Sequence, residues 1–182
     1  MFSMQKKRLQ QLLLHWIEKN IDFSVNLAYN NIRFEVLPMK IYMDVCSYNR
    51  PFDNQEQDRI YLEAEAVLSI LNYCHKGGWT LIGSNIIDFE VSKMANPSKK
   101  EKVMELCSIA SEKVVATSEI EKRAVEIQQI GIKPFDSFHI ALAESAGADI
   151  FLTTDDKLIK LSNKILLNVK VENPLNWIAE VL

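Results

Sequence analysis

The sequence lacks a long apolar run: none of its hydrophobic stretches approaches the roughly 18 uncharged residues that a membrane-spanning helix needs. Basic residues do precede Leu12-Leu13-Leu14. However, charged residues soon follow and no small-residue cleavage site is present, so we expect no signal peptide. Together these absences argue against a membrane protein.

Cysteine is scarce as well: Cys46, Cys74 and Cys107 are odd in number and have no metal-binding spacing, as expected for reduced thiols in a cytoplasm. The net charge of -3 argues against binding nucleic acid over the whole surface, although it leaves one local groove open. The 182 residues are 48% hydrophobic and 25% charged and contain no repeat or low-complexity tract. This composition predicts one compact domain with a small addition.

From residue 40 onwards, short apolar segments alternate with longer segments of helical periodicity. Strands are predicted at Lys40–Asp44, Trp79–Ile82, Val114–Ala116, Asp149–Thr153 and Ile165–Val171. Helices are predicted at Gln55–Lys76, around Ile86–Glu90, and at Ser98–Ala110, Ser118–Ile130 and Phe135–Ala146, with capping boxes at Ser98 and Ser118. The alternation predicts an α/β protein with βαβ units and a mostly parallel central sheet in a three-layer α/β/α arrangement.

Residues 1–38 do not follow this alternation. Met4–Lys19 has the apolar stripe of an amphipathic helix, and Phe23–Leu37 contains alternating stretches typical of a small hairpin. Pro38 then precedes Met39, which resembles an initiator methionine. We therefore divide the chain into an N-terminal extension (1–38) and a main domain (39–182). The extension is interpreted as an appended arm or an upstream reading-frame artefact, and a chain beginning at Met39 is expected to fold and act without it.

Acidic residues follow the ends of predicted strands or begin helices. Asp44 closes the first apolar run, Asp136 begins a periodic segment, and Asp155 and Asp156 follow a later apolar run. The carboxyl ends of parallel strands share one edge of the sheet, so these acids, with Glu90, are expected to gather there. Gathered carboxylates repel one another unless a cation neutralises them, and oxygen ligands suit Mg²⁺ or Mn²⁺. The pattern predicts a metal-dependent phosphodiesterase.

Each acid also has a purely structural interpretation. Asp136 would complement a helix dipole, Asp155 and Asp156 are common turn residues, and Glu90 would be solvated on its helix. Asp44 is harder to explain this way, because it directly follows an apolar run in a strand expected to be buried.

Several neighbours of these acids are candidates for supporting roles. His139 lies one helical turn after Asp136 and is interpreted as a packing or hydrogen-bonding residue rather than a ligand. Thr153-Thr154 and Ser137 are candidates for supporting the acids, and Cys46 is expected to be a small core residue. Basic residues that would line a phosphate track, or form a solvated helix face, are Arg50, Lys93, Lys99, Lys100 and Lys102.

Three segments resemble the PIN-domain family of ribonucleases, many of which are toxins of bacterial toxin–antitoxin pairs. They are KIYMDVCSYNRPFD, SNIIDFEVSKMANP and DSFHIALAESAGADIFLTTDDKL, and the resemblance covers about residues 39–178. It implies an endoribonuclease in which Asp44, Glu90, Asp136, and Asp155 or Asp156, surround one or two divalent ions. It also implies an RNA substrate and, for a toxin, an antitoxin protein as partner.

The resemblance has one departure. Many family members have a small polar pair after the first acid, where this chain has Val45-Cys46, so Ser47 or Asn49 is expected to take over that role. The departure keeps open an alternative: a catalytically inactive PIN-like interaction module that binds through the amphipathic N-terminal helix. The presence of all four acids favours the enzyme.

The predicted helix Gln55–Lys76 is apolar over much of its circumference, which predicts deep burial or a homodimer interface.

Overall fold

A five-stranded parallel sheet lies at the centre of the protein. The computed structural model describes residues 39–181. The strands are β1 (Lys40–Met43), β2 (Thr80–Ser84), β3 (Glu112–Val114), β4 (Ile150–Leu152) and β5 (Lys170–Glu172), in the order β3-β2-β1-β4-β5. Every neighbouring pair is parallel, and Ile41 in β1 pairs with Leu81 on one side and Ile150 on the other. All five strands therefore end at the same edge of the sheet.

Eight α-helices connect or follow these strands among the residues from 39 to 181. They are α1 (Val45–Asn49), α2 (Asp58–His75), α3 (Asn85–Ser92), α4 (Pro97–Cys107), α5 (Ser118–Gln128), α6 (Pro134–Ser145), α7 (Asp156–Ser162) and α8 (Pro174–Val181), with a short 3-10 helix at Arg50–Phe52. Parallel crossovers are right-handed, so connections running from β1 to β3 and those running from β3 to β5 cover opposite faces. This arrangement confirms the predicted three-layer α/β/α fold.

The direction of the chain reverses around β1. From β1 it proceeds through β2 to β3 at one edge, and it then crosses back to enter β4 on the other side of β1. In sheets of this kind, the loops leaving the two strands at the reversal separate and form a crevice outside their carboxyl ends. The segments after Met43 and Leu152 border this crevice.

The central strand is buried on both faces. Ile41, Tyr42 and Met43 have no exposed surface, as expected for a strand covered by helices on both sides. Tyr42 packs its ring 5.6 Å from that of Phe151 in β4. Because both faces of β1 are packed, the residue that follows it has a well-defined position.

Some predicted element boundaries are wrong. Helix α4 is capped by Asn96, whose side chain accepts a hydrogen bond from the Lys99 N–H, and Thr117 rather than Ser118 caps α5. Pro97 suits the first position of α4 because its φ is already helical and no N–H is needed there. The last strand begins only at Lys170, since the Asn168 N–H before it donates to a side chain, Glu144 Oε1, at 2.8 Å.

The predicted N-terminal extension lies outside the described residues, so its helix, its hairpin and its boundary remain predictions. The predicted ends of α2 and α6 are confirmed: Gly77 and Gly147 follow these helices with φ values of 79° and 66°, which glycine adopts readily. Between residues 39 and 181, no helix is both long and apolar enough to cross a membrane.

Candidate functional site

Asp44 lies where β1 ends and α1 begins, and it is only 6% exposed. Its Oδ1 accepts hydrogen bonds from the Ser47 N–H at 3.0 Å and the Cys46 thiol at 2.8 Å. Its Oδ2 accepts from the Thr153 hydroxyl, beyond the end of β4, at 2.6 Å. The helix start and the facing loop thus each hold one oxygen, which fixes the carboxylate at the crevice.

Cys46 stands where many related proteins have a small polar residue, and it still makes a polar contact with Asp44. Its sulfur donates to Asp44 and accepts from the N–H and hydroxyl of Thr154, at 3.3 and 3.1 Å. Burial raises the pKa of the thiol, and the negative charge of Asp44 raises it further, so the thiol remains a donor at neutral pH. The prediction of a small core residue is wrong, because Cys46 is half-buried and bonded to the site. Asn49 instead donates to the Val45 carbonyl.

The adjacent acids Asp155 and Asp156 have different surroundings. Asp155 caps α7 by accepting from the N–H groups of the next helical turn, and its own N–H donates to Thr153 Oγ1 at 3.1 Å. Asp156 is exposed and accepts two hydrogen bonds from the guanidinium of Arg59 in α2, at 2.5 and 2.7 Å. Thr153 therefore contacts both Asp44 and Asp155, whereas Asp156 is neutralised elsewhere.

Glu90, in α3, ends a buried chain of hydrogen bonds. Its Oε2 lies 2.6 Å from His139 Nε2, and Nδ1 of that ring lies 2.8 Å from the Tyr42 hydroxyl. This hydroxyl lies in turn 2.7 Å from Ser84 Oγ, the cap of α3. A neutral imidazole satisfies both contacts if Nε2 donates to Glu90 and Nδ1 accepts from Tyr42. His139 is thus a buried hydrogen-bonding residue, as predicted.

Asp136 lies half-buried in the first turn of α6. Burial is the largest cause of a raised pKa for its carboxyl group, and the charges of Asp44 and Asp155 raise this pKa further, while Lys133 lowers it. Three acids from three separate segments therefore act on one another electrostatically at the sheet edge. Ser137 does not support this acid, because its hydroxyl donates to the Pro134 carbonyl.

The chemistry of these side chains fits a divalent cation. Asp44, Asp136 and Asp155 offer only oxygen atoms, as Mg²⁺ and Mn²⁺ prefer, and a cation would offset both the burial and the neighbouring charges that raise the pKa of Asp136. In the described part of the chain, no three His, Cys, Asp or Glu side chains are already close enough to hold a metal ion. Binding would therefore require the carboxylates to turn towards the ion.

Comparison with known proteins identifies the fold family. The family model described as the PIN domain matches residues 53–164, which is more than half of the chain. The chain belongs to the PIN domain family. PIN domains are generally nucleases that use divalent metal ions. The match includes Glu90, Asp136 and Asp155, whereas Asp44 precedes it.

Solved structures also match, 11 chains in all. One is the crystal structure of VapBC2 from Rickettsia felis bound to a DNA fragment from their promoter. It is 19% identical to this PIN domain protein and covers 74% of this chain and 98% of the matched chain, with a TM-score of 0.47. A search of curated proteins found no match.

Three residues that contact site residues, Tyr42, Ser84 and Arg59, were not indicated by local sequence patterns. Tyr42 fits the apolar strand pattern, and its hydrogen-bonding partners Ser84 and His139 are distant in the chain. All five residues of the suggested phosphate track have contacts within the described part of the chain. Arg50 and Lys99 pair with Asp53, Lys100 donates to the Ser92 carbonyl, Lys102 lies over Phe52, and Lys93 lies over Phe89.

The raised pKa of Asp136 predicts a pH-dependent effect on stability. Above the ordinary value of 3.8, the folded protein holds this proton more tightly than the unfolded chain. The free energy of unfolding therefore falls as pH rises through that window. Asp136→Asn removes this effect, so the difference in unfolding free energy, variant minus wild type, should increase from pH 3.8 to neutral pH.

Urea unfolding of the metal-free protein at several pH values measures this difference. Asp136→Glu is the matched control, because it keeps a titrating carboxyl group and should retain a wild-type pH dependence. A constant difference for Asp136→Asn would contradict the prediction.

Proposed function

We propose that this protein is a metal-dependent endoribonuclease in which Asp44, Asp136 and Asp155 hold one or two Mg²⁺ or Mn²⁺ ions. Glu90 would ligate directly or through water. The observation that carries the proposal is the pair of contacts of Thr153 Oγ1, which donates to Asp44 and accepts from the Asp155 N–H, and so joins two of these acidic segments at the crevice. Family membership supports the nuclease class, and the resemblance to PIN-domain ribonucleases supports RNA as the substrate.

Hydrolysis of a phosphodiester requires a neutralised phosphate, an activated water and a stabilised leaving oxygen, and a bound divalent cation supplies these effects. The side chains of this protein would orient the reactants. Asp44 is held rigidly by its three donors. Glu90 is held through Oε2 by His139, while its Oε1 has no hydrogen bond to any residue from 39 to 181 and is available to orient a water.

The resemblance to toxins of toxin–antitoxin pairs supports a toxin role in the cytoplasm, with an antitoxin protein covering the acidic crevice. A homodimer is supported by α2, where Tyr61 and Leu62 are 49% and 46% exposed although most apolar residues of that helix are buried. Growth arrest on expression, relieved by Asp44→Asn, would support the toxin role. Sedimentation as a monomer only would contradict the dimer.

A catalytically inactive PIN-like interaction module is the second candidate. It is favoured by the Val45-Cys46 departure and by the separation of the acids, since none of the described groups is already arranged to hold a metal ion. The Cys46 bond to Asp44 reduces the weight of the first point, because the carboxylate is still held in place. The nuclease assay below distinguishes the two candidates.

Asp44→Asn should abolish metal-dependent cleavage of single-stranded RNA while leaving the fold intact. Asparagine keeps the shape of the side chain and can still accept hydrogen bonds, but it removes the charge that a cation needs. We expect a loss of at least about 100-fold in cleavage rate, corresponding to about 2.7 kcal/mol or more of lost transition-state stabilisation. The rise in melting temperature with added Mn²⁺ should also be lost.

Asp149→Asn is the matched control, because Asp149 bonds the Lys40 N–H at the opposite end of the β1–β4 pair. It should cleave RNA at the wild-type rate. Cleavage that survives EDTA, or an Asp44→Asn variant as active as the control, would contradict the proposal. Cleavage of duplex DNA but not RNA would contradict the assigned substrate.

A second pair of variants tests which adjacent acid belongs to the site. Asp155→Asn should lose cleavage while keeping α7, because asparagine is an equally good helix cap. Asp156→Asn should retain cleavage and lose at most about 1 kcal/mol of stability, the usual contribution of an exposed ion pair. RNA cleavage and thermal melting of both variants measure this. Inactivity of a well-folded Asp156→Asn protein would show that the assignment is wrong.

A further inference from the structure

Two exposed phenylalanine rings stack against each other between α3 and α6. The ring centroids of Phe89 and Phe135 are 6.1 Å apart and their planes are inclined by only 10°. Each residue is 46% exposed, so the pair presents flat aromatic surface to solvent. Neither ring is needed to fill the core, and the sequence alone did not indicate a stacking surface.

The pair lies on the two helices that carry two acids of the proposed site. Phe89 immediately precedes Glu90 and Phe135 immediately precedes Asp136, and the Cα atoms of consecutive residues are about 3.8 Å apart. The same two helices are also joined by the 2.6 Å contact between Glu90 and His139. The Phe89–Phe135 pair and the Glu90–His139 contact therefore both join α3 to α6, so the rings lie on the same two helices as Glu90 and Asp136.

Positive charge accompanies the rings. Lys93 Nζ lies 5.1 Å from the centroid of Phe89, a cation–π distance. Lys133 directly precedes α6 and is exposed. Neither lysine forms an ion pair with any residue between 39 and 181. Flat aromatic surface beside available cations matches the alternating bases and phosphates of a nucleic-acid strand.

We propose that Phe135, supported by Phe89, is a stacking platform that holds one base of a single-stranded RNA beside the scissile phosphate. This inference rests on the proposed nuclease function. Insertion between the rings would require roughly twice the 3.4 Å rise of stacked nucleotides, more than the centroid separation of 6.1 Å. The base therefore stacks on the outside of the pair. Lys93 already lies over Phe89, which leaves Phe135 as the contact ring.

The platform selects for unpaired RNA. Bases in a duplex are stacked on their neighbours, whereas loops and single strands can place a base on an aromatic side chain. Stacking on a flat ring tolerates every base, so the platform favours single strands without specifying a sequence. Lys93 and Lys133 would contact the phosphates on either side of the held nucleotide.

The test measures binding separately from cleavage. A short single-stranded RNA containing the fluorescent base 2-aminopurine is titrated against the full chain carrying Asp44→Asn, and stacking is read as fluorescence quenching. Adding Phe135→Ala should weaken binding by roughly 5- to 100-fold, the range expected for one base–aromatic stack, and remove the quenching. Phe89→Ala should have a smaller effect, and Phe135→Trp should restore both signals.

Two further variants make the result specific. Leu166→Ala removes an apolar side chain that is 91% exposed in the loop before β5, and it should leave binding and quenching unchanged. Phe135→Leu keeps apolar surface but not a flat ring, so it should behave like Phe135→Ala. Undiminished binding and quenching by Phe135→Leu would instead identify a general apolar docking surface, such as one for a protein partner, and would overturn the platform.

The platform and the nuclease function can fail separately. In the otherwise unsubstituted protein, Phe135→Ala should raise KM for single-stranded RNA with little change in kcat. Normal cleavage together with quenching that is insensitive to Phe135→Ala would overturn the platform and leave the nuclease intact. Absence of cleavage by the unsubstituted protein, together with ring-dependent quenching, would overturn the nuclease and retain the platform as an RNA-binding site.

Discussion

The hydrogen bond from Thr153 to Asp44 is the contact on which the site depends. It joins the segments after β1 and β4 across the crevice where the chain changes direction, next to the backbone hydrogen bond from the Asp44 N–H to the Leu152 carbonyl at 3.1 Å. Because β1 is buried on both faces, Asp44 cannot shift without disturbing the centre of the sheet. The other site groups come from elements that pack around this fixed carboxylate.

The negative charge of Asp136 is useful for binding a cation but lowers the stability of the metal-free fold. Burial and neighbouring charges make ionisation of Asp136 less favourable in the folded protein than in the unfolded chain. The buried apolar core supplies the stability that offsets this cost, while Arg59 pairs with the charge of Asp156 on the surface. A site of this kind is stabilised by the cation that it would bind.

Much of the fold could be predicted from the sequence, because strand and helix periodicities and glycine stops are local properties. The edge position of Asp44, Asp136 and Asp155 also followed from parallel-sheet topology. The local sequence does not distinguish between adjacent candidates for a helix cap, such as Thr117 and Ser118. Helix α1 was not predicted, because five residues are too few to show a helical periodicity. The contacts of Glu90 with His139 and of Phe89 with Phe135 depend on how α3 packs against α6, which no local spacing encodes.

The thiol of Cys46 has a consequence for the chemical durability of the protein. A cysteine at a proposed active site is a potential target for peroxides and alkylating reagents, which react with the thiolate form. Here burial and the charge of Asp44 keep the sulfur protonated, so its nucleophilicity is suppressed by the same carboxylate that it helps to orient. A raised thiol pKa of this kind favours slow reaction of Cys46 with oxidants and alkylating reagents at neutral pH.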